Sequence, residues 1–329
     1  PGCRHSTPDV RPFAELGDHG HTAPSVVNLV GVVALALGSA AFFALATALK
    51  HRSAGLMPHV ERFRPAELLG FAAAALRHPL YLAGIVADVG GLALQVLALH
   101  LGGLIVVQLV LVSAVLFALV VAHWIAGTRM SRRELLLGAL LVVAVTGFLL
   151  ESGALTAVPA TADRLPAVLA GLALLAAVVT LVAWSRRFSS HKKGSRRAAA
   201  MLGMAVGAIY AGTAALIKTC TNVMASHGPL ALLTSWQLYC LVVAGASGLL
   251  LAQMAFQAGP LTASLPATAT TDPLVSVLLG VVVFDEQLST DTGPLVLSVL
   301  CLLVMSGAVA MLSQVRAVVE HPDSSSPSH

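Results

Sequence analysis

The segment that decides the fold is Leu261–Phe284, LTASLPATATTDPLVSVLLGVVVF, in which one ionisable residue, Asp272, stands among apolar and hydroxyl side chains. The segment is long enough to cross a bilayer as a helix, which takes about 20 mostly apolar residues. A second such segment, Pro79–Leu99, carries Asp88 near its middle. A charged side chain at that depth costs about 2.5–3.5 kcal/mol by insertion scales, so it usually faces a cavity, an ion or a partner. Both segments predict membrane helices with a functional acid.

The rest of the chain has the same apolar character. Of its 329 residues, 57% are hydrophobic and 10% are charged, whereas soluble domains carry roughly 25% charge. The sequence therefore predicts an all-α polytopic membrane protein with nine transmembrane helices. Ala66–Leu76 is too short to span and is expected to lie on the membrane surface. The predicted spans are Val26–Leu49, Pro79–Leu99, Leu104–Ile125, Leu135–Leu150, Leu165–Trp184, Ala198–Ile217, Leu230–Phe256, Leu261–Phe284 and Leu295–Leu312.

The basic residues indicate the orientation. Fifteen of the 19 Lys and Arg residues fall on one side, in Lys50–Arg77, Arg129–Arg133, Arg186–Arg197 and at Arg316. By the positive-inside rule this side is cytoplasmic, so the N-terminus lies outside and the C-terminus inside. We expect an integral protein of the plasma (cytoplasmic) membrane, with the lipid bilayer as its main partner. Because topology explains the net charge of +4, no nucleic-acid role is indicated.

The two halves of the chain resemble each other. Phe42–Lys50 (FFALATALK) aligns with Tyr210–Lys218 (YAGTAALIK), and Leu99–Leu104 (LHLGGL) aligns with Phe256–Leu261 (FQAGPL). Helices one to four thus correspond to helices six to nine, with helix five as the connector. Because the offset of five spans is odd, the second copy must be inserted upside down. Inverted repeats with a site near the midplane are a recurring plan of secondary transporters.

This repeat divides the chain into five segments. Residues 1–25 form a polar extracellular arm, and residues 26–150 form the first repeat. Residues 151–197 hold the connecting helix and a basic cytoplasmic loop. Residues 198–312 form the inverted second repeat, and residues 313–329 are expected to be a disordered cytoplasmic tail.

Several short motifs resemble a known superfamily. Phe284-Asp-Glu-Gln-Leu-Ser289, followed by the helix Gly293–Met311, resembles the loop and final helix of the drug/metabolite transporter (EamA-like) superfamily. The resemblance covers roughly Gly31 to Leu312, and it implies a secondary transporter built from inverted repeats.

Within that superfamily the chain is most similar to the NIPA-type magnesium transporters. That branch has Gly-Glu and then Asn in its second helix, where this chain has Ala87-Asp88 and Gln95, so an acid is retained. The resemblance to this branch implies magnesium or another divalent cation as an alternative substrate. The other matching features are Leu49-Lys-His-Arg52 at the end of the first helix, Lys218 at the end of the sixth, Thr234-Ser-Trp236 at the start of the seventh and Gln253 near its end.

Asp88 is the first candidate binding residue. It lies ten residues beyond His78, which is about 15 Å along a helix and half of a hydrocarbon core of roughly 30 Å. Gln95 follows at i+7 on the same helical face. The pair is expected to bind a substrate, an ion or a proton. The alternative is a structural carboxyl group that is hydrogen-bonded to a neighbouring helix.

Asp272 is the second candidate. Ser264, Thr268, Asp272 and Ser276 recur every four residues and form one polar stripe, with Thr271 beside it. Two prolines in this helix, at 266 and 273, each free a backbone carbonyl, which membrane helices tolerate where the carbonyl lines a cavity or meets Ser and Thr. We expect a binding element, and the alternative is a proline kink satisfied locally by the threonines. Asp88 and Asp272 are also the two acids that would contact a metal cation.

Other polar residues at or within the spans have secondary expected roles. Lys50 and Lys218 fall at opposite membrane faces, where snorkelling to the headgroups is expected, with gating or anion binding as the alternative. A small-residue face on helix six, formed by Gly203, Gly207 and Ala211, indicates close helix packing. Gln108 and Gln253 are candidates for a secondary or gating role, and His123 and Gln237 for interhelical hydrogen bonds.

Together these features predict a secondary transporter that moves a small polar or cationic solute by alternating access. A coupling proton and a homodimer are consistent with this prediction, and neither a cofactor nor enzymatic activity is expected. The motifs of an intramembrane aspartyl protease are absent, because Ala87 rather than Tyr precedes Asp88 and Thr270-Thr271 precedes Asp272. An ATP-driven pump is not predicted, because it would need a Gly-x-x-x-x-Gly-Lys-[Ser/Thr] loop and the sequence has none. A non-transporting membrane scaffold remains the other alternative.

The asymmetry of the basic residues can be tested by cysteine labelling. A cysteine in the Arg186–Arg197 loop should be shielded from impermeant thiol reagents in intact cells, because that loop is cytoplasmic. A cysteine near Asp291 should react. Labelling in the opposite pattern would reverse the orientation and remove the support for an inverted repeat.

Overall fold

The computed structural model describes residues 26–54, 79–126, 129–153, 164–189, 195–259, 261–289 and 291–320. These ranges are almost entirely helical and contain no strand. The ten helices are α1 (Val26–Ala54), α2 (Pro79–Leu101), α3 (Leu104–Leu111), α4 (Ala114–Ala126), α5 (Arg132–Glu151), α6 (Arg164–Ser189), α7 (Arg196–Thr234), α8 (Trp236–Ala258), α9 (Leu261–Phe284) and α10 (Thr292–Glu320).

The all-helical membrane architecture is confirmed. Eight segments of the described chain are long and apolar enough to cross a membrane, and Trp236–Ala252 adds a shorter apolar helix. The surface helix predicted at Ala66–Leu76 and the arm at residues 1–25 lie outside the described residues, as does the tail beyond Glu320.

Two predicted span boundaries are wrong. The third predicted span is present, but a turn at Val112 and Ser113 divides it into α3 and α4. The sixth span continues well past Ile217, since the charge of Lys218 is buried against a partner rather than marking the membrane surface. The seventh begins at Trp236 rather than Leu230.

Helix α8 starts late because the backbone is extended at Ser235 (φ −80°, ψ 134°), which separates it from α7, and α7 itself is broken before that point, at Gly228. Gly228 has φ 82°, a value that residues with a side chain rarely adopt, and Pro229 has no N–H to continue the helix. The residues from Leu230 to Thr234 therefore form a short separate helical turn before α8. The tail expected to begin after Leu312 is also helical as far as Glu320, because this stretch contains helix-forming Gln, Arg, Ala and Glu and no Gly or Pro.

Helix α7 is the centre of the second half of the bundle. It packs against α9, α8 and α6, whereas α1 packs against α2, α3 and α4 in the first half. Helix α5 packs against α10, and α3 packs against α9, so these two pairs join the halves. Within the first half, the Ser39 hydroxyl on α1 donates to the Gly91 backbone carbonyl on α2 at 2.7 Å, which holds these two helices together.

The contact between α7 and α9 depends on two glycines. A Cβ placed on Gly207 would lie 2.6 Å from the Thr268 carbonyl oxygen and 3.0 Å from the Asp272 nitrogen. A Cβ on Gly203 would overlap the Ser264 carbonyl oxygen. The small-residue face predicted on the sixth span, which is α7 in the structure, is therefore confirmed as a close-packing surface. It lets α7 pack directly against the α9 backbone at the residues of the polar stripe.

Replacing Gly207 by alanine should destabilise the protein, because the contacted atoms belong to the α9 backbone and cannot rotate away. We expect a lower melting temperature in detergent micelles. The same change at Gly307 on α10 is the matched control, since nothing lies within 4 Å of a Cβ there. That variant should be neutral or slightly stabilised, because alanine favours the helix. Equal melting temperatures for the two variants would contradict the proposed role of the α7–α9 contact.

Candidate functional site

The polar stripe on α9 lies within the helical bundle. Ser264 and Ser276 are fully buried, and Asp272 is half-buried between them along the helix. The Ser276 hydroxyl donates to Asp272 Oδ1 at 3.4 Å. The phenol of Tyr210 on α7 is close enough to Asp272 to interact with it electrostatically. Asp272 is therefore an acid in an apolar helix with hydroxyl groups around it.

The other members of the stripe are partly engaged in packing. The Thr268 hydroxyl donates to the Gly203 carbonyl of α7 at 2.9 Å, and Thr271 lies against Gly207. Thr270 donates to the Pro266 carbonyl of its own helix at 2.8 Å. The Ser264 hydroxyl is buried and has no hydrogen-bond partner among the described residues. Thr268 and Thr271 therefore hold α9 on α7.

Asp88 and Gln95 lie on α2 and are both half-buried. Asp88 has an interaction partner. Helix α2 packs mainly against α1 and also touches α7, whereas α9 packs against α7, α10 and α3. The helices of the two aspartates are thus not principal neighbours. Gln108 on α3 is buried. The side chains of Lys50 and Gln253 lie outside the part of the chain that the structure describes.

Lys218 has a partner that the sequence did not reveal. Its ammonium Nζ lies 2.5 Å from Glu286 Oε1, and the two side chains are 1% and 3% exposed. Nζ also lies 4.7 Å from the centre of the Phe284 ring, within the range of a cation–π contact. The expectation that Lys218 snorkels to the headgroups is therefore wrong, because its charge is buried and neutralised inside the bundle.

Glu286 also contacts the first half of the chain. Its carboxylate accepts from the backbone N–H groups of Leu104 at 2.5 Å and Ile105 at 2.9 Å. These are the first residues of α3, and the preceding Gly103 has no side chain to cap the helix. An anion at a helix N-terminus satisfies free N–H groups and complements the helix dipole. We call Glu286, Lys218 and the two amide groups the Lys218–Glu286 clamp.

The clamp joins three segments that are distant in sequence. Lys218 belongs to α7, Glu286 to the loop after α9, and Leu104 to the start of α3. The loop folds back on its helix, since the Glu286 N–H donates to the Gly280 carbonyl at 3.0 Å. In the sequence, Glu286 stood out only as a member of the Phe284–Ser289 motif. Glu286 could have been identified from Lys218, because a lysine buried within a helical bundle needs an acidic partner. An acid at the end of another span at the same membrane depth is the natural candidate.

A second polar contact lies at the opposite ends of the neighbouring helices. His123 Nε2 on α4 is 3.5 Å from Glu134 Oε2 on α5, and His123 Nδ1 is 3.0 Å from the Leu119 carbonyl oxygen. Glu134 and Ser131 also cap α5 reciprocally. The two residues flank the basic connection that contains Arg129–Arg133. The Lys218–Glu286 clamp lies at the other end of the span formed by α3 and α4.

Replacing Glu286 by glutamine should destabilise the protein strongly, because Lys218 would remain buried without a counter-charge. Removing one partner of a buried ion pair typically costs about 3–5 kcal/mol. The double variant Lys218→Met with Glu286→Gln should be more stable than Glu286→Gln alone, because it no longer buries a charge. Melting temperatures in detergent micelles would measure both effects.

The matched control is Asp285→Asn, which makes the same chemical change on the neighbouring, exposed acid. It should leave the melting temperature unchanged. If Glu286→Gln and Asp285→Asn behave alike, the buried pair does not contribute to stability as described.

Comparisons with known proteins give one family relationship. No family model matches the chain, and no solved structure matches it. The chain is 30% identical over 289 residues to an uncharacterized protein of Corynebacterium glutamicum, an alignment that covers 87% of this chain and 96% of the relative. Because the alignment covers most of both proteins, the chain belongs to the same family as this uncharacterized corynebacterial protein.

Proposed function

We propose that this protein is a secondary transporter of the drug/metabolite type, which moves a small polar or cationic solute by alternating access. The observation that carries the proposal is Asp272, an acid near the middle of a membrane helix with Ser276 donating to it. A carboxylate is retained at such a depth mainly where it serves an ion, a proton or a solute. Its charge favours a cation or a solute with an ammonium group.

The pairing of helices supports an inverted repeat. In the predicted repeat the third helix corresponds to the eighth and the fourth corresponds to the ninth. In the structure the third predicted helix is α3 with α4, the fourth is α5, the eighth is α9 and the ninth is α10. Helix α3 packs against α9, and α5 packs against α10. Helices related by a pseudo-twofold axis in the membrane plane are expected to meet near that axis. A site between the halves is the common arrangement in such transporters.

The Lys218–Glu286 clamp supports alternating access. It ties α7 and the loop after α9, both from the second half, to the first residues of α3 in the first half. A buried, fully paired contact of this kind can hold one end of the bundle closed. Its opening would let the halves separate at that end, which alternating access requires.

Transport can be tested with purified protein in proteoliposomes. Uptake would be measured for a panel that includes magnesium and small organic cations, at several pH values. Asp272→Asn should abolish the uptake of the transported solute, because the amide keeps the shape of the carboxylate but removes its charge. Asp88→Asn tests the acid on α2 in the same assay.

Asp291→Asn is the matched control, because it removes a carboxylate from an exposed position between α9 and α10. It should transport at the wild-type rate. If Asp272→Asn transports as well as Asp291→Asn at every pH, or if no solute in the panel crosses the membrane, the proposed function is contradicted. Insertion and folding of each variant would be checked by its elution and melting profiles.

A further inference from the structure

The contact between His123 and Glu134 brings two titratable groups together away from water. His123 Nε2 on α4 lies 3.5 Å from Glu134 Oε2 on α5, and the two side chains are 9% and 7% exposed. Histidine is the side chain whose charge most readily changes near neutral pH. The proposed function makes no use of this pair. Whether the two groups attract or repel each other depends on how many protons they hold.

The hydrogen bond at the other ring nitrogen determines where the imidazole carries its first proton. Nδ1 of His123 lies 3.0 Å from the Leu119 carbonyl oxygen. A carbonyl oxygen can only accept a hydrogen bond, so Nδ1 is the donor and carries a proton. In a neutral imidazole only one nitrogen is protonated. A neutral His123 therefore presents a lone pair at Nε2.

The atom that faces this lone pair is a second acceptor. An ionised carboxylate has acceptor oxygens only, so a neutral His123 and an ionised Glu134 meet acceptor to acceptor. One proton on Nε2 turns the same contact into an imidazolium–carboxylate pair, in which a charged donor faces a charged acceptor. The geometry is therefore favourable when the pair holds this proton and unfavourable when it does not.

Glu134 is held in place independently of His123. Its Oε2 accepts from the Ser131 N–H at 2.5 Å, and the Ser131 hydroxyl accepts from the Glu134 N–H at 3.3 Å. This capping box fixes the carboxylate at the start of α5. Because Oε2 is an acceptor in the capping box, the ionised form of Glu134 fits and the proton of the pair belongs on Nε2. The 3.5 Å separation exceeds that of a usual N–H···O hydrogen bond, so the pair has room to tighten.

The other ionisable groups at this end of the bundle are mostly basic. The three arginines of the connection between α4 and α5 are exposed, unlike the pair itself. Helix α4 packs against α1 and α10, and α5 packs against α10 and α3, of which α3 has no ionisable residue. Glu134 is the acid that the described structure places beside His123. The ionisable residues of α1 and α10 at this end are Lys50, His51, Arg52, Arg316 and Glu320, whose side chains lie outside the described part of the chain.

We propose that His123 and Glu134 form a proton-binding site at the basic end of the bundle. With the proton bound, the end of α4 and the start of α5 attract each other, and without it they repel each other. The proton comes from the solvent on that side and returns to it, and no other bond forms or breaks. The opposite end of the bundle is held instead by the ammonium group of Lys218.

The site itself does not depend on the proposed function, but its role in transport does. Helices α4 and α5 both pack against α10, which belongs to the second half. A change between α4 and α5 therefore reaches a contact between the halves. Alternating access requires the two ends to open in turn, so proton binding at the basic end would couple the pH on that side to its opening.

Thermal unfolding of the full-length protein in detergent micelles tests the site without a transport assay. Glu134→Gln is the informative variant, because glutamine also serves in a capping box and the change removes only the charge. At about pH 5, where histidine is charged, the variant should melt at least about 2 °C below the wild type. At about pH 8.5, where histidine is neutral, the difference should vanish or reverse, because the amide of glutamine can donate to the Nε2 lone pair.

Two further variants control this comparison. In a His123→Gln background, the effect of Glu134→Gln on the melting temperature should be the same at both pH values. His100→Gln makes the same change on the exposed histidine of α2 and should retain the pH dependence. The inference is overturned if the effect of Glu134→Gln does not change with pH, or if the change persists in the His123→Gln background.

Nitrogen NMR of protein labelled in its histidine rings gives a second measurement, which needs no replacement of His123. The His123 signals are those that move most in Glu134→Gln. Nδ1 should remain protonated over the whole range, and Nε2 should lose its proton as the pH rises. A neutral ring that carries its proton on Nε2, or an Nε2 that does not titrate between these pH values, would also overturn the inference.

The two proposals fail in distinguishable ways. If Glu134→Gln shows the expected pH dependence but no solute crosses the proteoliposome membrane, the proton site stands and the transport function is wrong. If a solute is transported but the effect of Glu134→Gln does not change with pH, the transport function stands and the proton site is wrong.

Discussion

The structure depends on the burial of one carboxylate, that of Glu286. A buried carboxylate is costly unless its oxygens accept hydrogen bonds and its charge meets a counter-charge. Glu286 meets both conditions with the Lys218 ammonium and the first two N–H groups of α3. Because these donors come from separate segments, satisfying one side chain determines where α3, α7 and the end of α9 lie relative to each other.

The second constraint is the direct contact between α7 and α9. Gly203 and Gly207 remove the side chains that would separate the two backbones, and the Thr268 hydroxyl donates across the gap to the Gly203 carbonyl. In lipid there is little hydrophobic driving force between helices, so close packing and hydrogen bonds of this kind hold them together. The polar stripe thus has two roles. Thr268 and Thr271 serve the packing, and Asp272 with Ser276 forms the site that we propose for a ligand.

The two constraints give the bundle unequal ends. At the clamp, three segments meet through a fully paired buried charge. Towards the basic end, the polar contact between α4 and α5 is the looser approach of His123 to Glu134 at 3.5 Å. A bundle held more tightly at one end than at the other supports the alternating access that we propose. The proposed site lies between these ends, at the depth of Asp272.

The sequence by itself determined the membrane architecture, because hydropathy and helical length are local properties of each segment. It also identified the small-residue face of the sixth span, because small residues allow helices to pack closely. It identified the acids within the spans, because a charge at bilayer depth is costly wherever it occurs. It could not identify Glu286, the break at Ser113 or the continuation of α7 beyond Lys218. Only the tertiary structure decided these, because whether a charge is buried or a helix turns depends on which groups of distant segments satisfy it.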